Sequence, residues 1–138
     1  MSQPAILASL MEFCRQHGSP CFEGWTDLKL RDYLEWHGFN HALWWTRFEG
    51  EIVGLAVGWR CHREMAEEGW RVHDPTGKCF YVAHLVTSKP GAARSLSLAW
   101  QNAFPDWKQL KLLMRRHKPQ GHVLKEMPPR YARLLEIL

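Results

Sequence analysis

No stretch of the 138 residues approaches the roughly 20 consecutive apolar side chains that a membrane-spanning helix needs, so no bilayer span is expected. The first residues lack a basic stretch followed by a long apolar block and a small-residue cleavage site, which argues against a signal peptide. Cysteine is sparse and scattered. Cys14, Cys21, Cys61 and Cys79 contain no Cys-x-x-Cys, and a chain of this length needs no disulfide scaffold, so reduced thiols in a cytoplasmic protein are expected. Cys61-His62, His73, Cys79 and His84 share one segment, but no His-x-x-x-His spacing appears and no metal site is expected. Neither Ser-His-Asp nor Cys-His catalysis has a local signature here. Internal repeats, low-complexity tracts and linkers are absent as well.

What is present is a globular composition. Hydrophobic residues make up 46% and charged residues 23%, which excludes a disordered chain and fits one domain over residues 1–138 with a real core. Eight tryptophans are a high load, and most belong in packing, with one or two available to line a ligand groove. The net charge of +4 is uneven. Residues 106–138 hold eight Lys/Arg against three acids, whereas the remainder holds ten against eleven. Such a surplus is either a solvated face or a patch for an anionic ligand.

The pattern of apolar residues lays out the elements. Ala5, Ile6, Leu7, Leu10, Met11, Phe13 and Cys14 recur at helical spacing, with Gly18 placed as a stop. A second helix opens at Thr26, an N-cap residue, carries Leu28, Leu30, Tyr33, Leu34 and Trp36 on its apolar side, and ends at Gly38. Residues 42–48 and 51–60 read as strands joined at Glu49-Gly50, a pair suited to a hairpin turn, and Gly54 and Gly58 mark a bulge or close backbone approach. A short helix near 62–68, a turn, a strand over 79–87 and a helix from 92 to 104 follow, the last ended by Pro105. Strands over 109–116 and 122–127 come next, with a break at Pro128-Pro129 and a short helix after it.

The transition from strand 79–87 through Lys89-Pro90-Gly91 into the helix is the most informative feature. A strand that turns tightly into a helix start leaves main-chain N–H groups pointing outward, and those donors together with the helix dipole favour anions such as pyrophosphate. Ala93, Ser95 and Ser97 are small enough for a ligand to lie near the main chain.

This order of elements, with a turn and helix start after the third strand, resembles the GCN5-related N-acetyltransferase (GNAT) superfamily over roughly residues 5–116. That family ends the strand on an apolar-x-apolar pattern and follows it with Pro and then Arg/Gln-Gly-x-Gly-x-Gly/Ala. Leu85 and Thr87 stand at the strand end, Ala92 on the Arg/Gln position, and Ala93, Ser95 and Ser97 on the three glycine positions. None of those glycines is present, and the arginine is displaced to Arg94. The family's closing Asn and Tyr-x-x-x-Gly-Phe segment is replaced by Arg115-Arg116-His117-Lys118 and the Pro-Pro break.

The resemblance implies an α/β fold: a mixed, mostly antiparallel GNAT-like sheet flanked by helices. It also implies an N-acyltransferase that takes acetyl-CoA or another acyl-CoA and an amine acceptor. In that reading His84 is the general base for the amine, and a main-chain N–H at Leu85 or Val86 polarises the thioester carbonyl. Tyr131 protonates the departing thiolate. Leu85, Val86, Thr87, Lys89, Ala92, Ala93, Arg94, Ser95 and Ser97 contact the cofactor, with Lys89 and Arg94 offsetting phosphate charge. The competing account makes His84 a packed side chain bonded to a carbonyl, and the domain a catalytically inactive binding or assembly module whose loop has drifted from coenzyme A. A third account joins Lys108, Lys111, Arg115, Arg116, His117 and Lys118 near Trp107 into a nucleic-acid surface, although alternating Lys/Leu also describes a charged edge strand. The oligomeric state and the amine are left open by the sequence.

Overall fold

A computed structural model describes residues 3–66, 73–118 and 121–126, with side chains over 5–66 and 73–114. The elements run α1 (Gln3–His17), α2 (Asp27–Phe39), β1 (Leu43–Phe48), β2 (Glu51–Cys61), α3 (Arg63–Ala66), β3 (Cys79–Thr87), α4 (Ala92–Ala103), β4 (Lys111–Lys118) and β5 (Gly121–Glu126), with a 3-10 turn at Trp107–Gln109. The strands form a mixed five-stranded sheet in the order β1-β2-β3-β4-β5. The chain divides into two compact units, Met1–Val57 with His84–Leu96, and Gly58–Ala83 with Ser97–Leu138.

In the first unit, α2 starts where its chemistry dictates. Thr26 sits in extended conformation and its hydroxyl accepts the Lys29 N–H at 3.1 Å, which satisfies one of the orphan donors of the first turn. Leu30, Tyr33, Leu34 and His37 follow at spacings of three and four and are all buried, so they form the stripe that faces the core. Two details depart from the sequence pattern. Leu28 is 77% exposed, because it lies one position off that stripe, and the helix passes Gly38 to end at Phe39, capped by the Asn40 N–H on Trp36 and Gly38 carbonyls. Thr26→Ala should cost about 1 kcal/mol in urea unfolding with an unchanged denaturant slope.

The β1–β2 hairpin turns on Glu49 and Gly50, both at positive φ (53° and 82°), the backbone twist that suits a two-residue turn between right-twisted strands. Pairing slips between Thr46 and Arg47, which face Gly54 and Ile52, so Val53 is the extra residue of a bulge. An added Cβ at Gly54 would stand 3.0 Å from Thr46 and 3.1 Å from both Ala92 and Leu96, so the first turns of α4 lie directly on the sheet there. Ser88 N–H donates to the Val53 carbonyl at 2.9 Å and ties the end of β3 to the same point.

In the second unit, Gly58 performs the same service for aromatic packing: its missing Cβ would stand 2.6 Å from the Phe80 ring. Phe80 in turn packs against Trp100 and Phe104, with centroids 5.3 and 5.1 Å away. β4 pairs parallel with β3 (Cys79↔Lys111 to Val82↔Met114) and antiparallel with β5 (Leu113↔Glu126 to Lys118↔Gly121). It is therefore an inner strand rather than a charged edge strand. It begins at Lys111 because Trp107–Gln109 forms the 3-10 turn.

Candidate active site

Within the first unit, β3 delivers its last four residues, His84 to Thr87, to the Ser88–Gly91 turn. Gly91 takes φ +88°, a conformation that favours glycine, and no atom lies within 4 Å of where its Cβ would be. Two main-chain donors of this turn are engaged locally: Ala92 N–H with Lys89 O at 3.3 Å and Ser95 N–H with Gly91 O at 3.1 Å. The first turn of α4 holds no acidic side chain, which leaves its positive dipole end without a carboxylate of its own.

The sequence-predicted residues divide by position. Ala92 is buried on Gly54, Val86 is buried, and Ala93 is half-buried. Leu85, Thr87, Lys89, Arg94 and Ser95 are exposed. Ser97 is half-buried and falls in the second unit. Tyr131 lies outside the described residues, as do the side chains of Arg115, Arg116, His117 and Lys118.

His84 is half-buried in an aromatic enclosure that the sequence pattern did not single out. Its Nδ1 lies 2.6 Å from the hydroxyl of Tyr33, a residue with no exposed surface. The Phe22 ring lies 4.5 Å from the imidazole at 32°, and Trp25 and Tyr33 present their rings nearly perpendicular to it at 5.7 and 5.1 Å. The loop that carries Phe22 and Trp25 is held by Arg15. Its guanidinium donates to the Phe22 carbonyl (3.2 Å), the Trp25 carbonyl (2.6 Å) and Asp27 Oδ1 (2.9 Å). Lys29 Nζ stands 4.2 Å over the Trp25 ring. Gly18 makes room for this loop, since a Cβ there would stand 2.5 Å from Phe22.

Other chemistry is less favoured. Cys14 and Cys61 have thiols pushed up to about 12 and about 11, the first chiefly by burial, the second by burial and then by Cys79, Asp74 and Glu64. Neither is suited to act as a thiolate. All four cysteines are free. Among the described residues, no group of three or more His, Cys, Asp and Glu is placed to hold a metal ion, and no helix is long and apolar enough to cross a membrane. In the second unit Arg60 joins Asp106 at 3.0 Å and the Gly77 carbonyl at 2.7 Å, which organises a corner rather than a site. An apolar groove of about 480 Å³ between α1 and α2, lined by Leu7, Ala8, Met11 and Leu28 with Asp27 and Arg31, includes none of the predicted residues.

No family model matches the sequence, and no curated protein matches it. Among solved structures the chain is similar to GphF, a GNAT-like decarboxylase in complex with isobutyryl-CoA, with a TM-score of 0.56 and 16% identity over 86% of this chain. The fold is GNAT-like. The chain spans 65% of that neighbour's length. The mixed α/β sheet expected for a GNAT-like domain is thus the one observed, with β3, the turn and α4 in the places the resemblance assigned.

Proposed function

We propose that residues 1–138 form one GNAT-like domain that binds an acyl-CoA and transfers its acyl group to an amine. The observation that carries this reading is local to the first unit. One continuous strand–turn–helix places a half-buried imidazole at His84 seven residues before a glycine at positive φ and a helix start without acidic side chains. The residues present fit an anionic cofactor: small side chains at Ala93 and Ser95, and exposed cations at Lys89 and Arg94. When bound, the acyl-CoA supplies an activated thioester carbonyl. The C–N bond to the acceptor forms as the C–S bond breaks. His84 acts at that centre with a main-chain N–H of Leu85 or Val86 on the carbonyl oxygen, the exposed Thr87 lies beside the cofactor, and the departing thiolate takes its proton from solvent.

A second reading is favoured by the turn itself. The three glycine positions hold Ala93, Ser95 and Ser97, and two donors of the turn are engaged locally, as in a GNAT-like binding or assembly module that has lost coenzyme A. Thermal unfolding with acetyl-CoA and with isobutyryl-CoA separates the two. A ligand selective for the folded state at a hundred times its Kd adds about 2.7 kcal/mol, which raises Tm by several degrees. Ser95→Glu should remove that shift by charge repulsion. An unmoved Tm at millimolar cofactor would leave the assembly module standing.

A further inference from the structure

We infer that Tyr33 is a positioning residue that fixes the tautomer of His84, so that the neutral imidazole carries its proton on Nε2 and meets a ligand as a hydrogen-bond donor rather than as a base. The Tyr33 oxygen and His84 Nδ1 are 2.6 Å apart. That separation is a hydrogen bond, which needs one donor and one acceptor, and the chemistry of the two groups makes the phenol the donor. An imidazole nitrogen accepts a proton with a pKa of about 6.5, while a phenol oxygen is a weak acceptor because its lone pair is delocalised into the ring. With Nδ1 accepting, the one proton of the neutral ring resides on Nε2. The surroundings hold this arrangement: Tyr33 is fully buried on α2, and Phe22 and Trp25 wall the imidazole on other sides.

The consequence for catalysis rests on the acyl-CoA reading. His84 Nε2–H would donate to the thioester carbonyl oxygen as negative charge develops there, and would keep its proton throughout. The attacking amine would arrive uncharged and release its proton to water after the C–N bond forms. The general-base role expected from the sequence then has no side chain in His84.

The test reads nitrogen protonation directly and needs no activity. Uniformly ¹⁵N-labelled protein at about pH 8, above the ordinary imidazole range, is recorded with two-bond nitrogen–proton correlation, and His84 is assigned by its loss in His84→Asn. The expected result is an unprotonated Nδ1 and a protonated Nε2 in the parent protein, with that pattern collapsing to a mixture of tautomers in Tyr33→Phe while the other histidines stay in place. A protonated Nδ1, an imidazolium at that pH, or an unchanged His84 in folded Tyr33→Phe would each overturn the inference. If Tyr33→Phe fails to fold, the parent protein is read for the bond itself: a Tyr33 hydroxyl proton correlated with His84 Nδ1 supports the inference, and a Nδ1–H or a hydroxyl proton uncoupled from Nδ1 overturns it. Absence of a cofactor-induced thermal shift would remove the acyl-CoA reading and leave the tautomer assignment untouched.

Discussion

Gly77→Ala is expected to lower the melting temperature by on the order of 10 °C. Its Cβ would lie 2.3 Å from the Cys61 carbonyl oxygen, 2.4 Å from the carbonyl carbon and 2.6 Å from Cα. Those are main-chain atoms at the end of β2, so no rotamer change relieves the clash. Nor can the glycine retreat. Its N–H is bonded to Asp74 O at 3.0 Å, its carbonyl accepts Arg60 Nε at 2.7 Å, and Asp74 N–H reaches back to Arg60 O at 2.8 Å. Overpacking against a fixed backbone costs on the order of 3 kcal/mol, a large share of the ~5–15 kcal/mol that holds a domain together. Far-UV circular dichroism melts of Gly77→Ala beside Gly24→Ala make the comparison. Gly24 has positive φ but open space around it, so its cost is backbone strain alone, on the order of 1 kcal/mol. Equal melting points for the two variants would mean that the corner at Cys61 is not closed as described.

Where chemistry is local, the sequence carried the structure. Thr26 announced an N-cap, Glu49-Gly50 announced a turn at positive φ, and the run from Cys79 to Thr87 showed β composition bounded by turn residues. Ala92, Leu96 and Trp100 stand four apart in α4 and are all buried, the spacing of a helix face turned to the core. Even Gly54 and Gly58 were legible as close approaches, because a glycine within a strand weakens it unless another group needs the space.

What was hidden is non-local. Tyr33 and His84 are 51 positions apart, and nothing in either neighbourhood says that a phenol on a helix stripe will meet an imidazole on a strand. In sequence Tyr33 is one more apolar-face residue. Arg15 is equally silent, since its three bonds go to two carbonyls and a carboxylate 7 to 12 residues on. The strand β4 misled for a related reason: alternating Lys and Leu gives the period of a strand but not its neighbours, and pairing on both sides is settled by the topology. The candidate site was therefore half legible. Its strand, turn and histidine stand in a row along the chain, and its enclosure does not.

That enclosure makes Phe22 the residue at which stability and the site are most tightly joined. Phe22→Ala is expected to cost about 3–5 kcal/mol, the range for truncating a buried phenylalanine. The ring is only 2% exposed and touches four other parts of the first unit: Gly18, Trp25 at 5.1 Å, Tyr33 at 6.4 Å and His84 at 4.5 Å. Its removal leaves a cavity against a loop whose ends are pinned by Arg15, so the loop cannot collapse to fill the space. Urea titration followed by tryptophan fluorescence measures the loss, and an unchanged denaturant slope assigns it to the folded state. Phe22→Leu, which keeps most of the volume, should cost less than about 1.5 kcal/mol. The two variants also separate packing from positioning. If the ring only fills space, His84 keeps its tautomer in Phe22→Leu and Phe22→Ala alike. If the ring holds the imidazole plane against the Tyr33 hydroxyl, the Nδ1 acceptor state weakens in proportion to the volume removed. A cost below about 1 kcal/mol for the alanine variant would show that the aromatic enclosure does not hold His84, and the short Tyr33 bond would then have to orient the ring unaided.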